Sequence, residues 1–324
     1  MLKDPAILFF VFGLAAGFLR SNLEIPPQIA RFLSLYLLMA LGLKGGFALS
    51  TTGLTAEVAL GLGCALLLAV VVPAIGYQVL KRMVSRFDAA ALAATYGSVS
   101  AVTFITAVQV LAQQGIPHGG HMAAALALME SPAIVMAVLL ANLARREAAS
   151  RAAPGATPPT SIKGVLHESF TDGAQLLLLG AMVIGIVSGA AGESAMKPFA
   201  GDLFKGMLSF FLLDMGLAAA RQLKALGRPS PLLLAYALGA PLVHATLALG
   251  LAMAVGMSVG DGTLLMVLAA SASYIAVPAV VREAIPEAQP TLYLGLSLGV
   301  TFPFNILFGI GLYQDVAQRV LGGG

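Results

Sequence analysis

The sequence predicts an all-α membrane protein in which ten transmembrane helices form a five-plus-five inverted repeat, with the fourth and ninth helices broken and crossing near the midplane. Three observations predict this fold class: an apolar composition, ten apolar segments and an internal repeat. The chain is 59% hydrophobic and only 10% charged, with a mean hydropathy of +0.92. Soluble domains carry about 25% charged residues, so we expect most of this chain to lie in lipid.

The internal repeat divides the chain into two similar halves. The segment DAAALAATYGSVSAVTFITA (88–107) returns in register as DGTLLMVLAASASYIAVPAV (261–280), so that Asp88 corresponds to Asp261. Other pairs recur at nearly the same spacing: Gly17 with Gly185, Gly42 with Gly216, and Pro132 with Pro303. Duplicated halves that each carry an interrupted apolar segment at the same place are typical of secondary transporters and indicate their binding sites.

The apolar segments set the order of the helices, because a helix needs about 20 apolar residues to cross a bilayer. The candidate segments are 6–20, 30–49, 55–80, 89–114, 120–143, 173–190, 203–221, 231–256, 261–285 and 291–316. The fourth and ninth contain the interruptions. A polar stretch rich in Pro, Ala, Ser and Thr, 144–169, is the expected linker, which predicts one repeat over 1–143 and the other over 170–324.

The basic residues predict the orientation. With the linker in the cytoplasm, the inside loops hold 13 of the 18 Lys and Arg residues and the outside holds 5. The positive-inside rule therefore places both termini outside. Because each half has five helices, an odd number, the two halves must have opposite orientations, and the pseudo-two-fold axis lies in the membrane plane. The net charge of +3 and the pI of 9.1 are explained by these loops, and no nucleic-acid partner is expected.

The two interruptions, near 97–100 and 271–274, are the expected binding site. Unpaired backbone at membrane depth is tolerated only where protein or a wet cavity satisfies it. Each break exposes helix N–H groups and a positive dipole end, which favour an anion, while the opposing carbonyl oxygens suit Na⁺. The hydroxyl groups there belong to Ser98, Ser100, Thr103, Ser271 and Ser273. The structural alternative is that these serines bond to the preceding turn or hold helices together.

Two acidic residues lie deep in apolar segments, where carboxylates are costly and normally face a cavity or a partner. Glu130 precedes Pro132 in the fifth segment and is a candidate cation ligand or titrating group; the alternative is an acid bonded to helix ends exposed by the breaks. Asp214 lies in the seventh segment and is a candidate coupling residue, with Lys44 as a possible partner. It has no acidic counterpart in the first repeat.

Three stretches resemble the sodium-dependent bicarbonate transporter family of cyanobacteria, in its branch from other bacteria: YGSVSAVTFITA, MESPAIVMAVLLAN and ASASYIAVPA. The resemblance covers nearly the whole chain. It implies a five-plus-five inverted repeat, a homotrimer in the bacterial inner membrane in contact with lipid, and Na⁺-coupled import of bicarbonate. It also implies an elevator-like movement of a core against a scaffold, and regulation by a small PII-like cytoplasmic trimer.

The resemblance assigns site residues by motif. Substrate-binding residues of the first break are Gly97, Ser98, Val99, Ser100 and Thr103, and those of the second are Ser271, Ala272, Ser273 and Tyr274. Cation ligands are Glu130, which stands where the family has an aspartate before the proline, together with Ser98 and Ser273. One departure is that Tyr274 replaces the aspartate that ends the second break in the cyanobacterial members.

These observations predict a secondary active transporter that imports a small anion, bicarbonate, together with Na⁺ as the coupling ion and without a cofactor or other metal. The alternatives are a Na⁺-coupled organic-anion symporter with Tyr274 lining a larger pocket, a Na⁺/H⁺ antiporter using Glu130 or Asp214, and a transport-inactive sensor. An enzyme is not expected, because the sequence offers no nucleophile–base arrangement and no metal-ligand cluster.

Overall fold

The computed structural model describes residues 3–53, 55–149 and 173–323, and every regular element in these ranges is a helix. The helices are α1 (Pro5–Phe18), α2 (Pro27–Thr52), α3 (Ala56–Leu80), α4 (Arg86–Gly97), α5 (Ala101–Gln113), α6 (His121–Ala149), α7 (Gly173–Met196), α8 (Phe204–Leu226), α9 (Pro231–Val255), α10 (Val259–Ala270), α11 (Ala276–Ala284) and α12 (Pro290–Leu321). A π-helical stretch, Lys197–Asp202, separates α7 from α8, and α12 contains two more, Gly295–Thr301 and Asn305–Gly309.

Seven helical segments of the described chain are long and apolar enough to cross a membrane, and two shorter helices, α1 and α10, are also apolar. Each of the ten apolar segments predicted from the sequence is helical, and the fourth and ninth are each divided into two helices, as predicted. The ten-helix inverted repeat itself stays a prediction. Of the predicted linker 144–169, the first residues, 144–149, are the end of α6, and the remainder lies outside the described residues.

Four helices pair closely, α1 along α8 and α2 along α7. Two glycines that correspond in the repeat lie at these contacts. A Cβ atom on Gly42 would lie 2.4 Å from the carbonyl oxygen of Leu178, and one on Gly216 would lie 2.3 Å from that of Phe10. Small residues let membrane helices approach closely, so these glycines permit the packing of the four-helix group (α1, α2, α7 and α8).

The other helices form an eight-helix group (α3–α6 and α9–α12) around the two breaks. In it, α3 packs against α4 and α6, while α9 packs against α10 and against the first π-helical stretch of α12. Tyr96 and the alanines of α4 are buried almost completely, as is nearly every residue of α10. Helices that are buried on all sides are core elements rather than lipid-facing ones, so α4 and α10 lie inside the protein, whereas α11 is exposed at Ala279 and Arg282.

The repeat-related aspartates Asp88 and Asp261 begin α4 and α10 in the same way. A serine three residues earlier caps each helix: Ser85 Oγ accepts the Asp88 N–H at 3.1 Å, and Ser258 Oγ accepts the Asp261 N–H at 3.1 Å. Each carboxylate also accepts a backbone N–H from a loop of the opposite half, from Gln289 to Asp88 at 2.8 Å and from Gly119 to Asp261 at 2.6 Å. The two contacts therefore join the halves at both broken helices.

Replacing Asp88 with Ala is expected to lower the free energy of unfolding by about 1–3 kcal/mol, because the Asp88 carboxylate can no longer accept hydrogen bonds from the Gln289 N–H and the Ser85 hydroxyl. Denaturation in detergent micelles measures this change. Asp202→Ala, at an exposed aspartate in the π-helical stretch before α8, is the matched control and should unfold like the wild type. Equal stability of the two variants would contradict a structural role for the Asp88–Gln289 contact.

A bidentate ion pair joins the end of α6 to the loop after α11. Arg145 Nε donates to Glu287 Oε1 at 3.0 Å and Nη2 donates to Oε2 at 2.9 Å, while Nη2 also donates to the Ala284 carbonyl oxygen at 2.7 Å. Partial burial raises the pKa of Glu287, but the bonds from Arg145 outweigh it and hold the pKa below its ordinary value of 4.5. The pair therefore favours the folded state only while Glu287 is ionised.

The stabilisation from Glu287 is expected to depend on pH. Because its folded pKa is depressed, the contribution is complete above the ordinary pKa of the carboxyl group and is lost as the pH falls through the folded pKa. Glu287→Gln should therefore unfold at a lower temperature than the wild type near neutral pH, and the difference should vanish on acidification. A difference that stays constant over this range, or that the exposed-site control Glu24→Gln reproduces, would contradict the role of the ion pair.

Candidate functional site

The two breaks end their first helices in the same way. Helix α4 stops at Gly97, and Ser98 follows with an extended backbone (φ −97°, ψ −176°); α10 stops at Ala270, and Ser271 follows with φ −82° and ψ 164°. An extended residue ends the helical hydrogen bonding and turns the chain away from the helix axis. Gly97 is required for packing, since a Cβ atom there would lie 2.6 Å from the ring of Pro73.

Serine side chains begin the helices that follow. Ser100 Oγ caps α5 by accepting the Thr103 N–H at 3.2 Å, and it also accepts the Thr103 hydroxyl at 2.9 Å. Ser273 Oγ accepts the Val277 N–H of α11 at 3.2 Å. Since both serines use their oxygens as acceptors, each retains its own hydroxyl proton for another partner. Ser100 Oγ directs this proton toward the hydroxyl of Tyr274, at a long distance of 3.4 Å.

The breaks are hydrogen-bonded to each other. The Ser100 N–H donates to Ser271 Oγ at 2.9 Å, and the Ser273 N–H donates to the Thr95 carbonyl oxygen at 2.8 Å. Ser100, Ser271 and Ser273 are at most 4% exposed. Backbone groups freed by each break are therefore satisfied in part by the other break, as non-helical backbone at membrane depth requires.

A cavity of about 210 Å³ lies beside this contact, between the four-helix group and the eight-helix group. Residues from both breaks and the first residues of α5 and α11 line it. The described lining residues are Ser34, Leu37, Leu38, Val99, Ser100, Ala101, Val102, Ile105, Leu126, Glu130, Ala174, Gln175, Leu178, Phe211, Ser273, Tyr274, Ile275, Ala276, Ala279 and Val280. The cavity is therefore the place where the two breaks, Glu130 and the four-helix group meet.

The electrostatic character of the cavity comes from helix ends and one acid. Its described lining contains no Lys or Arg. Ala101 and Ala276 are the first residues of α5 and α11, and the first N–H groups of a helix have no partner within it. Each helix N-terminus carries roughly half a positive charge, so the two together provide about one. Glu130, partly buried on α6, places a carboxylate at the same cavity.

The structure brings together some of the residues predicted from the sequence and not others. Val99, Ser100, Ser273, Tyr274 and Glu130 line the cavity. The remaining predicted residues lie outside the described lining: Gly97, Ser98, Thr103, Ser271, Ala272 and Asp214. Most of these residues support the breaks, as the contacts of Gly97, Thr103 and Ser271 illustrate.

Two predicted site residues, Ser98 and Asp214, and the possible partner Lys44 lie outside the described lining of the cavity. Ser98 is 1% exposed, and its Oγ has no hydrogen-bond partner among the described residues. It does not share a described cavity with the other predicted cation ligands, Glu130 and Ser273. Asp214 is partly buried on α8. Lys44 Nζ, considered as its partner, instead lies over the ring of Phe204, 3.8 Å from the centroid.

Sequence reasoning missed two polar residues of α12 that hold the ends of the broken helices. Tyr96, near the end of α4, bonds to Thr301 Oγ1 at 2.6 Å. Asn305 Nδ2 donates to the carbonyl oxygen of Ala270, the last residue of α10, at 2.9 Å, and Tyr313 donates to Asn305 Oδ1 at 2.9 Å. An Asn and a Thr on either side of a proline in an apolar run, TFPFN (301–305), were the available signal.

These observations agree with the comparisons with known proteins. No curated protein matches the chain. A family model matches residues 5–318, which is nearly the whole sequence, and the apolar helices fit a multi-pass membrane protein. The chain therefore belongs to the Na⁺-dependent bicarbonate transporter superfamily, and it is a membrane transporter rather than an enzyme.

Proposed function

We propose that the protein is a secondary active transporter that imports a small anion, bicarbonate, together with Na⁺ through the cavity between the two breaks. One observation carries this proposal: the N-termini of two helices meet at a single cavity that also contains a carboxylate. The family supports Na⁺ and bicarbonate as the transported species.

The anion would be held by neutral donors. The first residues of α5 and α11, together with Ser100, Ser273 and Tyr274, line the cavity. Such donors can surround an oxyanion that brings its own charge, and the helix dipoles favour it further.

The cation would be held by oxygen atoms near the same cavity. Na⁺ binds carboxylate, hydroxyl and carbonyl oxygens, and Glu130 and Ser273 supply the first two types. Bound Na⁺ would place a positive charge beside Glu130 and so stabilise its ionised form. The bound anion and cation would then lie close enough to attract each other, which couples their binding. Ser98, buried at the end of α4, would serve a separate cation position.

An inverted repeat with a moving core is supported by the packing. The helix pairs α1/α8 and α2/α7 are exchanged by the repeat, and so are the contacts of Asp88 and Asp261 with the opposite half. The cavity lies between the four-helix group and the eight-helix group. Movement of the eight-helix group, which contains both breaks, against the four-helix group would carry the site from one side of the membrane to the other.

Uptake of labelled bicarbonate into liposomes that contain the purified protein tests this function. An inward Na⁺ gradient should drive accumulation, and a K⁺ gradient of the same size should not. Exchange of Na⁺ driven by a pH gradient, without anion uptake, would instead indicate a Na⁺/H⁺ antiporter. Absence of both activities would favour a sensor.

The orientation follows from the distribution of basic residues and is tested separately. In a Cys64→Ala background, Ser150→Cys should react with a membrane-impermeant maleimide only from the cytoplasmic side, and Gly323→Cys only from the outside. Labelling of both cysteines from the same side would contradict two halves of opposite orientation.

A further inference from the structure

We infer that the cavity accepts short-chain organic monocarboxylates, with the carboxylate group at the two breaks and the hydrocarbon chain against the apolar wall that faces them. This inference rests on the proposed function, since it takes the cavity to be the anion site. Bicarbonate presents the same planar CO₂⁻ group as a carboxylate and carries a hydroxyl where the carboxylate carries its chain. With the CO₂⁻ group at the breaks, bicarbonate would therefore turn a hydroxyl toward the rest of the cavity, and a monocarboxylate would turn its hydrocarbon chain there.

The polar side of the cavity is small. It consists of the starts of α5 and α11, the Ser100, Ser273 and Tyr274 hydroxyls, and Glu130 on α6. The two helix starts and the three hydroxyls are the donors, and they suffice for a single anionic group of two or three oxygens; the Glu130 carboxylate can only accept. The rest of the lining offers few polar atoms: Ser34 on α2 and Gln175 on α7, and the Gln175 Nε2 donates to the Ala127 carbonyl oxygen at 2.9 Å.

The apolar side of the cavity is large and lies inside the protein. We call it the apolar wall; its members are Leu37 of α2, Ile105 of α5, Leu126 of α6, Leu178 of α7 and Phe211 of α8. Each of these side chains is at most 3% exposed, so the wall does not face lipid. Five different helices contribute to it, so the wall is not one face of a single helix.

The volume of the cavity also exceeds what bicarbonate needs. A cavity measured in this way requires only about 10–15 Å³ to hold one water molecule, and this one has about 210 Å³. Bicarbonate, with four heavy atoms, would fill only part of this volume and would leave exposed lining residues such as Ile275 and Ala279 in contact with water. A chain of a few methylene groups between these residues and the apolar wall would displace that water, and burial of apolar surface is favourable in proportion to its area.

Tyr274 lies between the two sides and is held in place. Its ring packs edge-on against Phe302, with 5.1 Å between the centroids, while its hydroxyl is 3.4 Å from Ser100 Oγ. The hydroxyl therefore belongs to the polar side, and the ring is fixed by its contact with Phe302. An aspartate at this position would bring a second carboxylate to the cavity and repel the anionic group; the tyrosine avoids this repulsion and adds a donor.

A competition experiment tests the inference in nanodiscs, where binding is measured without a permeation step. Binding of labelled bicarbonate in Na⁺ buffer is competed with sodium formate, acetate, propionate, butyrate and valerate. We expect affinity to increase about fourfold for each added methylene group until the wall is covered, with Na⁺ required throughout. If bicarbonate binds but affinity does not rise along this series, the inference is wrong and the proposed function stands. If neither bicarbonate nor any carboxylate binds, both are wrong.

Two variants separate the polar side from the apolar side. Ala279→Leu reduces the volume at a lining position and should shorten the longest carboxylate that binds, so that the affinity for valerate falls more than the affinity for bicarbonate. Ala254→Leu makes the same change at an exposed position of α9 and should alter neither. Tyr274→Phe should weaken bicarbonate and carboxylates by similar factors, about three- to tenfold for one hydrogen bond. Loss of chain-length selectivity in Tyr274→Phe with unchanged bicarbonate binding would contradict the assigned position of the hydroxyl.

Discussion

Glu130→Gln is expected to abolish most of the Na⁺ dependence of transport while the protein remains folded. The amide keeps the shape of the side chain and one oxygen acceptor, but it removes the charge that attracts a cation. Hydrogen bonds and contacts to a charged group contribute about 1.5–3 kcal/mol, so Na⁺ affinity should fall by roughly ten- to a hundredfold. Uptake measured over a series of Na⁺ concentrations gives this change directly.

The control and the pH dependence decide the role of Glu130. Glu24→Gln makes the same replacement in the exposed loop before α2 and should leave Na⁺ dependence unaltered. In the wild type, protons should compete with Na⁺ for the carboxylate, so that acidification raises the Na⁺ concentration required for uptake; in Glu130→Gln this competition should disappear. If the variant keeps normal Na⁺-stimulated uptake, Glu130 is a structural acid, and the cation must be bound by hydroxyl and carbonyl oxygens at the breaks.

The positions of the breaks could be predicted from sequence because they are local and duplicated. A small, hydroxyl-rich interruption in an apolar run has few structural explanations, and its return at the same place in the second half excludes chance. The glycines at 42 and 216 were predictable as a pair for the same reason. Their contacts with Leu178 and Phe10 on the paired helices were not predictable. No local sequence pattern specifies which helices pack against each other.

The composition of the cavity could be predicted only in part. Glu130 and Ser273 meet there as expected, but Ser98 does not line it, although it is two residues from Ser100. Ser98 is the residue that ends α4 and is 1% exposed, whereas Ser100 caps the start of α5, which lines the cavity. A sequence motif does not reveal on which side of a break a given side chain lies. The apolar wall was equally hidden, since its leucines are indistinguishable from core residues in a hydrophobic chain.

Asn305 and Thr301 were missed for a different reason. Both residues lie on the π-helical stretches of α12. A π-helical turn has more residues than an α-helical turn, so the side chains there do not follow the 3.6-residue periodicity of an α-helix. Periodicity therefore gave no indication that they contact the ends of α4 and α10. Asn305 satisfies the last carbonyl oxygen of α10 and Thr301 holds the side chain of Tyr96 on α4, while the N-termini of α5 and α11 are the helix ends that line the cavity.

Those two N-termini lead to the second large expected effect, which is that Ala101→Asp eliminates anion transport. Ala101 is the first residue of α5 and lines the cavity, so an aspartate there places a carboxylate where the transported anion would bind. Two unit charges about 4 Å apart repel each other by about 4 kcal/mol at an effective dielectric constant of 20, which corresponds to roughly a thousandfold loss of affinity. The helix should tolerate the change, because acidic residues are favoured in the first turn.

Ala101→Asn separates charge from size, since the amide is nearly the same size as the carboxylate and is neutral. It should reduce anion affinity far less than the aspartate does, and both variants should unfold like the wild type in detergent. Binding of labelled bicarbonate and of its carboxylate competitors gives the anion affinities. Na⁺ binding measured in the absence of anion is a second, independent test. In Ala101→Asp the fixed carboxylate should take the place of the anion, so Na⁺ should bind without one. If the two variants weaken anion binding equally, the effect is steric, and the helix N-termini do not form the anion site.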